Sequence, residues 1–187
     1  MEAFFNSFGF LQPTDIRQLM DCFSLKQFNK NDFFSREGEI CTEVAFIRSG
    51  IFRSFYLSDQ GDDITYCFRF PNEMMAAYSS FITGQPSVES LQAITTAEVL
   101  IARKQKLDQL FANNPNWIKV LKIIAEQQYL ELEKRMFQFQ KERALQRYER
   151  LLKEQPEYIR QIPLQYLASY LGITQRHLSR IRKSVNN

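Results

Sequence analysis

The residues best suited to binding a charged partner lie near the C-terminus of this chain. The stretch 175–183 reads Gln-Arg-His-Leu-Ser-Arg-Ile-Arg-Lys and contains four basic side chains. No acidic residue follows Glu157. Guanidinium and ammonium groups form charge-assisted hydrogen bonds with phosphate oxygens. This composition therefore indicates a polyanion as the partner of the C-terminal segment.

The apolar spacing of the same segment predicts two short helices joined by a tight turn. Pro163 suits the first turn of a helix, and Leu167 and Ala168 would lie on its inner face. Gly172 stands where the chain must reverse, a place that favours positive φ. Thr174 is a good N-cap for the next helix. This is the helix-turn-helix pattern, with a basic second helix that could enter a major groove.

The second helix would place Leu178 and Ile181 against the first helix and turn its polar residues outwards. The outward side chains would be those of Gln175, Arg176, Ser179, Arg180 and Lys183. We expect Lys183 and Arg182 to contact phosphates. A generic helical hairpin would show the same apolar spacing without needing alanine, glycine and a cap residue in this order.

Charge is distributed unevenly along the 187 residues. Residues 1–140 hold 14 basic and 17 acidic side chains, a net charge of −3, whereas residues 141–187 hold 10 and 4, a net charge of +6. Only the C-terminal part is therefore expected to bind a polyanion. No apolar run approaches the roughly 20 residues of a membrane helix, and the N-terminus lacks a secretory signal pattern. We expect a cytoplasmic protein without a membrane partner.

The composition disfavours catalysis and metal binding. The chain has one histidine, His177, which excludes multi-histidine metal sites and makes a serine–histidine–acid triad a poor candidate. Its three cysteines are widely spaced and suit a reducing compartment. We therefore predict no metal, no cofactor and no enzymatic activity.

Upstream of the helices, turn residues recur at even intervals. Gly38, Gly50 and Gly61 lie 12 and 11 residues apart, and Pro71 follows 10 residues later. The runs between them are rich in β-formers, at 44–47, 51–57 and 64–70, with a further pair at 91–95 and 99–102. Short strands at such spacing predict a sandwich or barrel. A capped amphipathic helix beginning near Pro13 precedes them.

A long helix without glycine or proline is predicted from Asn116 to Gln155, with a bend or break near 138–141. Its first part carries two apolar stripes, and a surface helix needs only one. One stripe would cover the β-domain and the other would meet the same helix of a second subunit. A helix buried within one domain is the open alternative. The predicted dimer-helix residues are Trp117, Val120, Leu121, Ile124, Gln127, Gln128 and Leu130.

The sequence resembles the Crp/Fnr family of bacterial transcription regulators along essentially its whole length. The resemblance rests on Gly38-Glu39-Ile40, on 46–50, on Pro71-Asn72-Glu73 and, most specifically, on Leu167 to Thr174. It implies an α+β fold with an N-terminal double-stranded β-helix (a cyclic-nucleotide-binding-like jelly roll), a long dimerisation helix and a C-terminal winged helix-turn-helix. The corresponding domains would span 1–112, 113–140 and 141–187.

The resemblance also implies partners and residue roles. It implies a homodimer on a two-fold-symmetric operator in double-stranded DNA, with a small effector and RNA polymerase as further partners. By position in the motif, Gln175, Arg176 and Arg180 match the family's base-contacting residues. Thr174 and Ser179 match its phosphate contacts. Because the chain ends soon after this helix, we expect the wing to be reduced to strands around Tyr158 to Ile162.

The effector site departs from the pattern of cyclic-AMP-binding members. Those members carry Gly-Glu at the start of the phosphate cassette and Arg-Ser near its end, whereas this chain has Asn72-Glu73 and Ser87-Val88. A cyclic phosphate would lose its bidentate arginine partner here, so we expect an effector other than cyclic AMP. Two alternatives stay open: a ligand-free β-roll that is a scaffold or protein-docking module, and a cupin-type enzyme, whose expected metal ligands are absent.

Overall fold

The computed structural model describes residues 1–112 and 114–185, which form helices and two β-sheets. The helices are α1 (Glu2–Asn6), α2 (Pro13–Met20), α3 (Tyr78–Thr83), α4 (Lys104–Ala112), α5 (Asn116–Lys141), α6 (Ala144–Glu154), α7 (Pro156–Gln161), α8 (Leu164–Tyr170) and α9 (Gln175–Val185). The strands are β1 (Phe23–Phe28), β2 (Phe33–Ser35), β3 (Glu43–Ser49), β4 (Phe52–Leu57), β5 (Asp63–Arg69), β6 (Met74–Met75), β7 (Ser90–Ala93) and β8 (Ala97–Arg103).

Each sheet has four strands. One has the order β1-β8-β3-β6 and the other the order β2-β7-β4-β5. The strand pairs β1–β8, β3–β8, β3–β6, β2–β7 and β4–β7 are all antiparallel. The consecutive strands β7 and β8 belong to different sheets, so the residues between them cross from one sheet to the other. These strands confirm the predicted β-rich N-terminal part and its sandwich-like architecture.

The inward side chains of both sheets form one apolar core. Phe52 and Leu91 come from one sheet and Ile47 and Val99 from the other, and all four are almost completely buried. Strands bury alternate residues on one face, which brings these side chains together between the sheets. The β-sandwich is therefore stabilised mainly by apolar burial.

The predicted break in the long helix is confirmed. Helix α5 ends at Lys141, and Arg143 has extended backbone angles (φ −74°, ψ 158°). The side chain of Gln146 accepts a hydrogen bond from the amide of Arg143, which caps the start of α6. The chain therefore changes direction at Glu142 and Arg143, within a few residues of the predicted position.

The prediction of wing strands around Tyr158 to Ile162 is wrong. Those residues form most of helix α7, and Ile162 follows as its C-cap. Pro156 at the first helical position fixes a helical φ, and Glu157 places a negative charge in the first turn. Tyr158 and Ile162, one turn apart, are both buried, so the apolar spacing here is helical.

The described chain divides into two compact units. One unit consists of residues 1–57 and 67–123, and the second of residues 58–66 together with those from 124 onwards. Helix α5 contributes to both units, and the tip of the β4–β5 hairpin belongs to the second. None of the described helices is long and apolar enough to span a membrane.

Candidate nucleic-acid interface

Helices α8 and α9 pack through small and aliphatic side chains, as the sequence predicts. Leu167 and Ala168 on α8 are buried, and so are Leu178 and Ile181 on α9. The methyl side chain of Ala168 allows the two helices to approach closely. The pair forms the predicted helix-turn-helix arrangement, in which the opposite face of α9 is turned to solvent.

The turn between the helices has the geometry that its glycine predicts. Gly172 has φ +66°, a conformation that residues with a Cβ rarely adopt. Its amide donates to the carbonyl of Ser169 (2.9 Å), and the amide of Ile173 donates to the carbonyl of Ala168 (3.0 Å). This pair of bonds is a Schellman motif, a common helix C-terminus. A Cβ at Gly172 would also lie 2.9 Å from Cε1 of Phe139.

Thr174 caps α9, as predicted. Its Oγ1 accepts a hydrogen bond from the amide of His177 (3.2 Å), and its carbonyl accepts one from the amide of Leu178 (3.0 Å). The cap uses a lone pair of the hydroxyl oxygen and leaves the hydroxyl proton able to donate. Thr174 can therefore cap the helix and donate to a phosphate at the same time.

The exposed face of α9 is basic. Arg176 and Arg180 are exposed and lie one helical turn apart, with Gln175 and Lys183 also exposed and Ser179 half-buried. Within the described residues, Arg176, Arg180 and Lys183 take part in no ion pair. Their charges are therefore available to a polyanion.

Arg182 differs from the other basic residues of this helix. It is half-buried, and its Nη2 donates to the carbonyl of Ile159 in α7 at 3.4 Å. Its Nε is buried and has no hydrogen-bond partner. The structure therefore places the Arg182 head against α7, which disfavours the phosphate contact expected from the sequence.

Ser169 in α8 contacts a segment distant in the sequence. Its Oγ accepts a hydrogen bond from the amide of Thr65 (2.8 Å) and donates one to the carbonyl of Asp63 (3.0 Å). The helix-turn-helix is thus bonded to the start of β5, more than a hundred residues earlier in the chain. The sequence carries no local signal for this contact.

The four residues of the predicted effector pocket lie in two turns of the β-sandwich. Asn72, with φ +73°, and Glu73 connect β5 to β6, and Glu73 Oε2 accepts a hydrogen bond from the amide of Phe70 (3.1 Å). Ser87 precedes β7, and its Oγ donates to the carbonyl of Glu89 (2.8 Å). Val88 is 72% exposed. The Ser87 hydroxyl is therefore engaged within its own loop.

Helix α5 exposes an apolar face along much of its length. Eight of its large aliphatic and aromatic side chains have exposed fractions of 39–64%: Ile118, Leu121, Tyr129, Leu130, Leu132, Met136, Phe137 and Phe139. Exposed apolar surface of this extent marks an interaction site. Ile124 and Gln128 are half-buried, and Gln127 is exposed.

Two of the predicted dimer-helix residues are buried in the chain's own apolar core. Trp117 is 1% exposed and packs against the rings of Phe5 and Phe111, and Val120 is 2% exposed. Side chains buried in their own unit cannot contact a second subunit. Burial within the chain therefore disfavours the predicted dimer contact of Trp117 and Val120.

Comparisons with known proteins agree with this fold. Residues 25–114 match the family described as the cyclic nucleotide-binding domain. Over 90 residues the chain is 29% identical to the transcriptional activator protein Anr of Pseudomonas protegens, an alignment covering 48% of this chain and 36% of Anr. The matched region thus spans about a third of that relative's length.

Solved structures extend the likeness to most of the chain. FixK2 from Bradyrhizobium japonicum superposes with a TM-score of 0.75 at 17% identity, covering 88% of this chain and 84% of FixK2. A Crp/Fnr-family protein from Eubacterium rectale superposes with a TM-score of 0.74 at 16% identity, covering 98% of this chain and 88% of that protein. The chain therefore shares its fold with these proteins, one of which is a Crp/Fnr-family protein.

The two candidate sites lie in different parts of the chain relative to the cyclic nucleotide-binding match. The cyclic nucleotide-binding match includes Asn72, Glu73, Ser87 and Val88, whereas α8 and α9 lie outside it. Among the described residues, no group of three or more His, Cys, Asp or Glu side chains could hold a metal ion. The better-defined candidate binding site is therefore the exposed basic face of α9.

Proposed function

We propose that this chain is a DNA-binding transcriptional regulator that acts as a homodimer on a palindromic operator. One observation carries the proposal: Arg176 and Arg180 stand exposed, without ion-pair partners in the described residues, on a helix held by a capped turn. Arginine forms bidentate hydrogen bonds with the O6 and N7 atoms of guanine, and an α-helix fits the major groove. Arg176, Arg180 and Gln175 would contact base edges, and Lys183, Thr174 and Ser179 would contact phosphates.

The exposed apolar face of α5 supports the dimer. Helix α5 has 26 residues, a length of about 39 Å. Two such helices packed side by side would cover side chains that are otherwise in contact with water. In a two-fold dimer, the recognition helices would lie about 34 Å apart and match half-sites one helical turn apart.

Selection of binding sites from random duplexes tests the proposal. We expect the wild-type chain to enrich an inverted repeat whose half-sites are about 10 base pairs apart, centre to centre. Its affinity should fall as salt rises, because phosphate contacts release counterions. A chain that enriches no sequence and binds duplex DNA without salt dependence would contradict the assignment.

The β-sandwich is proposed to sense a small effector other than cyclic AMP. The Ser87 hydroxyl is neutral and is already engaged with Glu89. A charge-assisted bidentate pair contributes roughly 2–3 kcal/mol, about a hundredfold in affinity. We therefore expect calorimetry to show no cyclic AMP binding below the micromolar range. Sub-micromolar binding would show that the phosphate is held by residues other than Ser87 and Val88.

The alternative to a sensor is a ligand-free β-sandwich that serves as a scaffold or docks a protein. A thermal-shift screen of nucleotides and other metabolites distinguishes the two, because a ligand that binds only the folded chain raises its apparent stability. The relative Anr is named a transcriptional activator. By extension, RNA polymerase is a proposed partner of this regulator, which would act in the cytoplasm.

A further inference from the structure

The last carbonyl groups of α8 are all hydrogen-bonded, although a helix cannot supply partners for its final carbonyls. The carbonyl of Leu167 accepts from the amide of Leu171 (3.0 Å). In the Schellman motif, the carbonyls of Ala168 and Ser169 accept hydrogen bonds from the amides of Ile173 and Gly172. The carbonyls of Tyr170 and Leu171 accept no backbone hydrogen bond in this turn, so their partners must be side chains.

Two arginines from other helices bond to these two carbonyls. Arg135 in α5 donates from Nη2 to the carbonyl of Tyr170 (3.0 Å). Arg147 in α6 donates to the carbonyl of Leu171 from Nε (3.2 Å) and from Nη2 (2.9 Å). Its Nη1 also donates to the carbonyl of Glu142 (2.5 Å), the residue directly after α5. We call Arg135 and Arg147 the turn arginines.

Aromatic contacts hold the turn arginines in place. The guanidinium carbon of Arg135 lies 3.8 Å from the ring centroid of Tyr170 and 4.9 Å from that of Phe139. The guanidinium carbon of Arg147 lies 4.8 Å from the Phe139 ring. The same Phe139 ring is the one that a Cβ on Gly172 would strike. Tyr170 and Leu171 are therefore contacted from α5 and α6, and the Phe139 ring leaves no room for a side chain at Gly172.

The electrostatics of the site explain how two cations coexist there. Burial lowers the pKa of Arg147, and the nearby charge of Arg135 lowers it further. The C-terminus of a helix carries partial negative charge on its free carbonyls, which favours cations. Cation–π contacts with the rings add to this attraction. The carbonyls and rings together offset the repulsion between the two guanidinium groups.

We propose that Arg135 and Arg147 are positioning residues for DNA recognition, which fix the direction in which α9 leaves the turn without contacting DNA themselves. The inference rests on the proposed DNA binding. Its basis is that both arginines bond to backbone carbonyls of the turn, whereas the base-contacting candidates Arg176 and Arg180 project from the exposed face of α9. Binding sites need their contacting groups held within about 0.5 Å and 10–20° of the productive geometry. Loosening the turn should therefore reduce discrimination between sequences.

The test uses Arg147→Lys and, as a second variant, Arg135→Lys, each in the full chain. Lysine keeps the charge but lacks the planar fork that bonds and stacks in this site. The matched control is Arg143→Lys, at an exposed arginine one turn before Arg147. We expect each turn variant to lower the ratio of operator affinity to scrambled-duplex affinity by about tenfold. The scrambled-duplex affinity and its salt dependence should match those of the wild type and the control.

A second measurement reports on the turn without DNA. Hydrogen exchange at the amides of Gly172 and Ile173 should be about tenfold faster in the turn variants, with exchange in α6 unchanged. An equal loss of affinity for the operator and for the scrambled duplex would mean that the arginine contacts the DNA backbone directly, and would overturn the inference. An unchanged affinity ratio would overturn it as well. If the wild type binds no duplex, the proposed function is wrong. If hydrogen exchange at Gly172 and Ile173 is unaltered in the variants, the arginines do not hold the turn and this inference is wrong.

Discussion

A chain that carries lysine at both Leu121 and Leu132 is expected to sediment as a monomer at micromolar concentration. Both side chains belong to the exposed apolar face of α5, 41% and 59% exposed, so their replacement should leave the chain's own core intact. In a dimer, the two lysines would bring unpaired charges into an apolar contact, which is costly. Affinity for a palindromic operator should fall by roughly 10²–10⁴-fold, because linked half-site binding is lost.

A matched control adds the same charge to the polar side of the helix. Glu131→Lys also raises the net charge by two, at an exposed acidic residue that lies two positions from Tyr129 and therefore on the opposite side of the helix. Analytical ultracentrifugation should show this control as a dimer with wild-type operator affinity. If the Leu121 and Leu132 variant still sediments as a dimer, or if the wild type sediments as a monomer, α5 is not the dimer contact.

Arg180→Ala is expected to cost roughly 1–3 kcal/mol in operator binding and to relax the preference at one base pair. The reason is that a bidentate arginine–guanine contact discriminates against the other bases. Affinity for a scrambled duplex should change little. Fluorescence anisotropy titrations against the selected operator and the scrambled duplex measure both values.

Lys183→Ala is the comparison variant for Arg180→Ala. Lys183 is exposed on the last turns of the same helix, and we expect it to contact a phosphate. Its loss should weaken binding to both duplexes alike and flatten the salt dependence by about one unit. Equal losses on both duplexes for Arg180→Ala would remove Arg180 from base recognition. Absence of any loss in both variants would contradict DNA binding by α9.

The features predicted well from the sequence are those that depend on near neighbours in the chain. Gly172 and Thr174 predicted the turn and the cap because positive φ and N-capping are local properties. The break after α5 followed from a local loss of apolar periodicity. The wing strands predicted around Tyr158 to Ile162 are wrong because that prediction came from the family resemblance, whereas Pro156 and the local apolar spacing favour a helix.

Features that depend on distant contacts could not be predicted. Strand order is one of them, because β7 and β8 are adjacent in sequence but lie in different sheets. The turn arginines are another, since Arg135 contacts a carbonyl 35 residues away and looks in sequence like any solvated helix charge. Arg182 belongs to the same class, because only the position of α7 shows where its side chain is directed.

The hydrogen bonds of Ser169 have a consequence for the solubility of the chain. Strand β5 is at the edge of its sheet, and an open strand edge is a template onto which another chain can add and aggregate. The Ser169 hydroxyl donates a hydrogen bond to the carbonyl of Asp63 and accepts one from the amide of Thr65, two main-chain groups of that strand. Helix α8 thereby covers this stretch of the edge against strand-to-strand association. A serine of the helix-turn-helix thus also makes two main-chain groups of an edge strand unavailable to another chain.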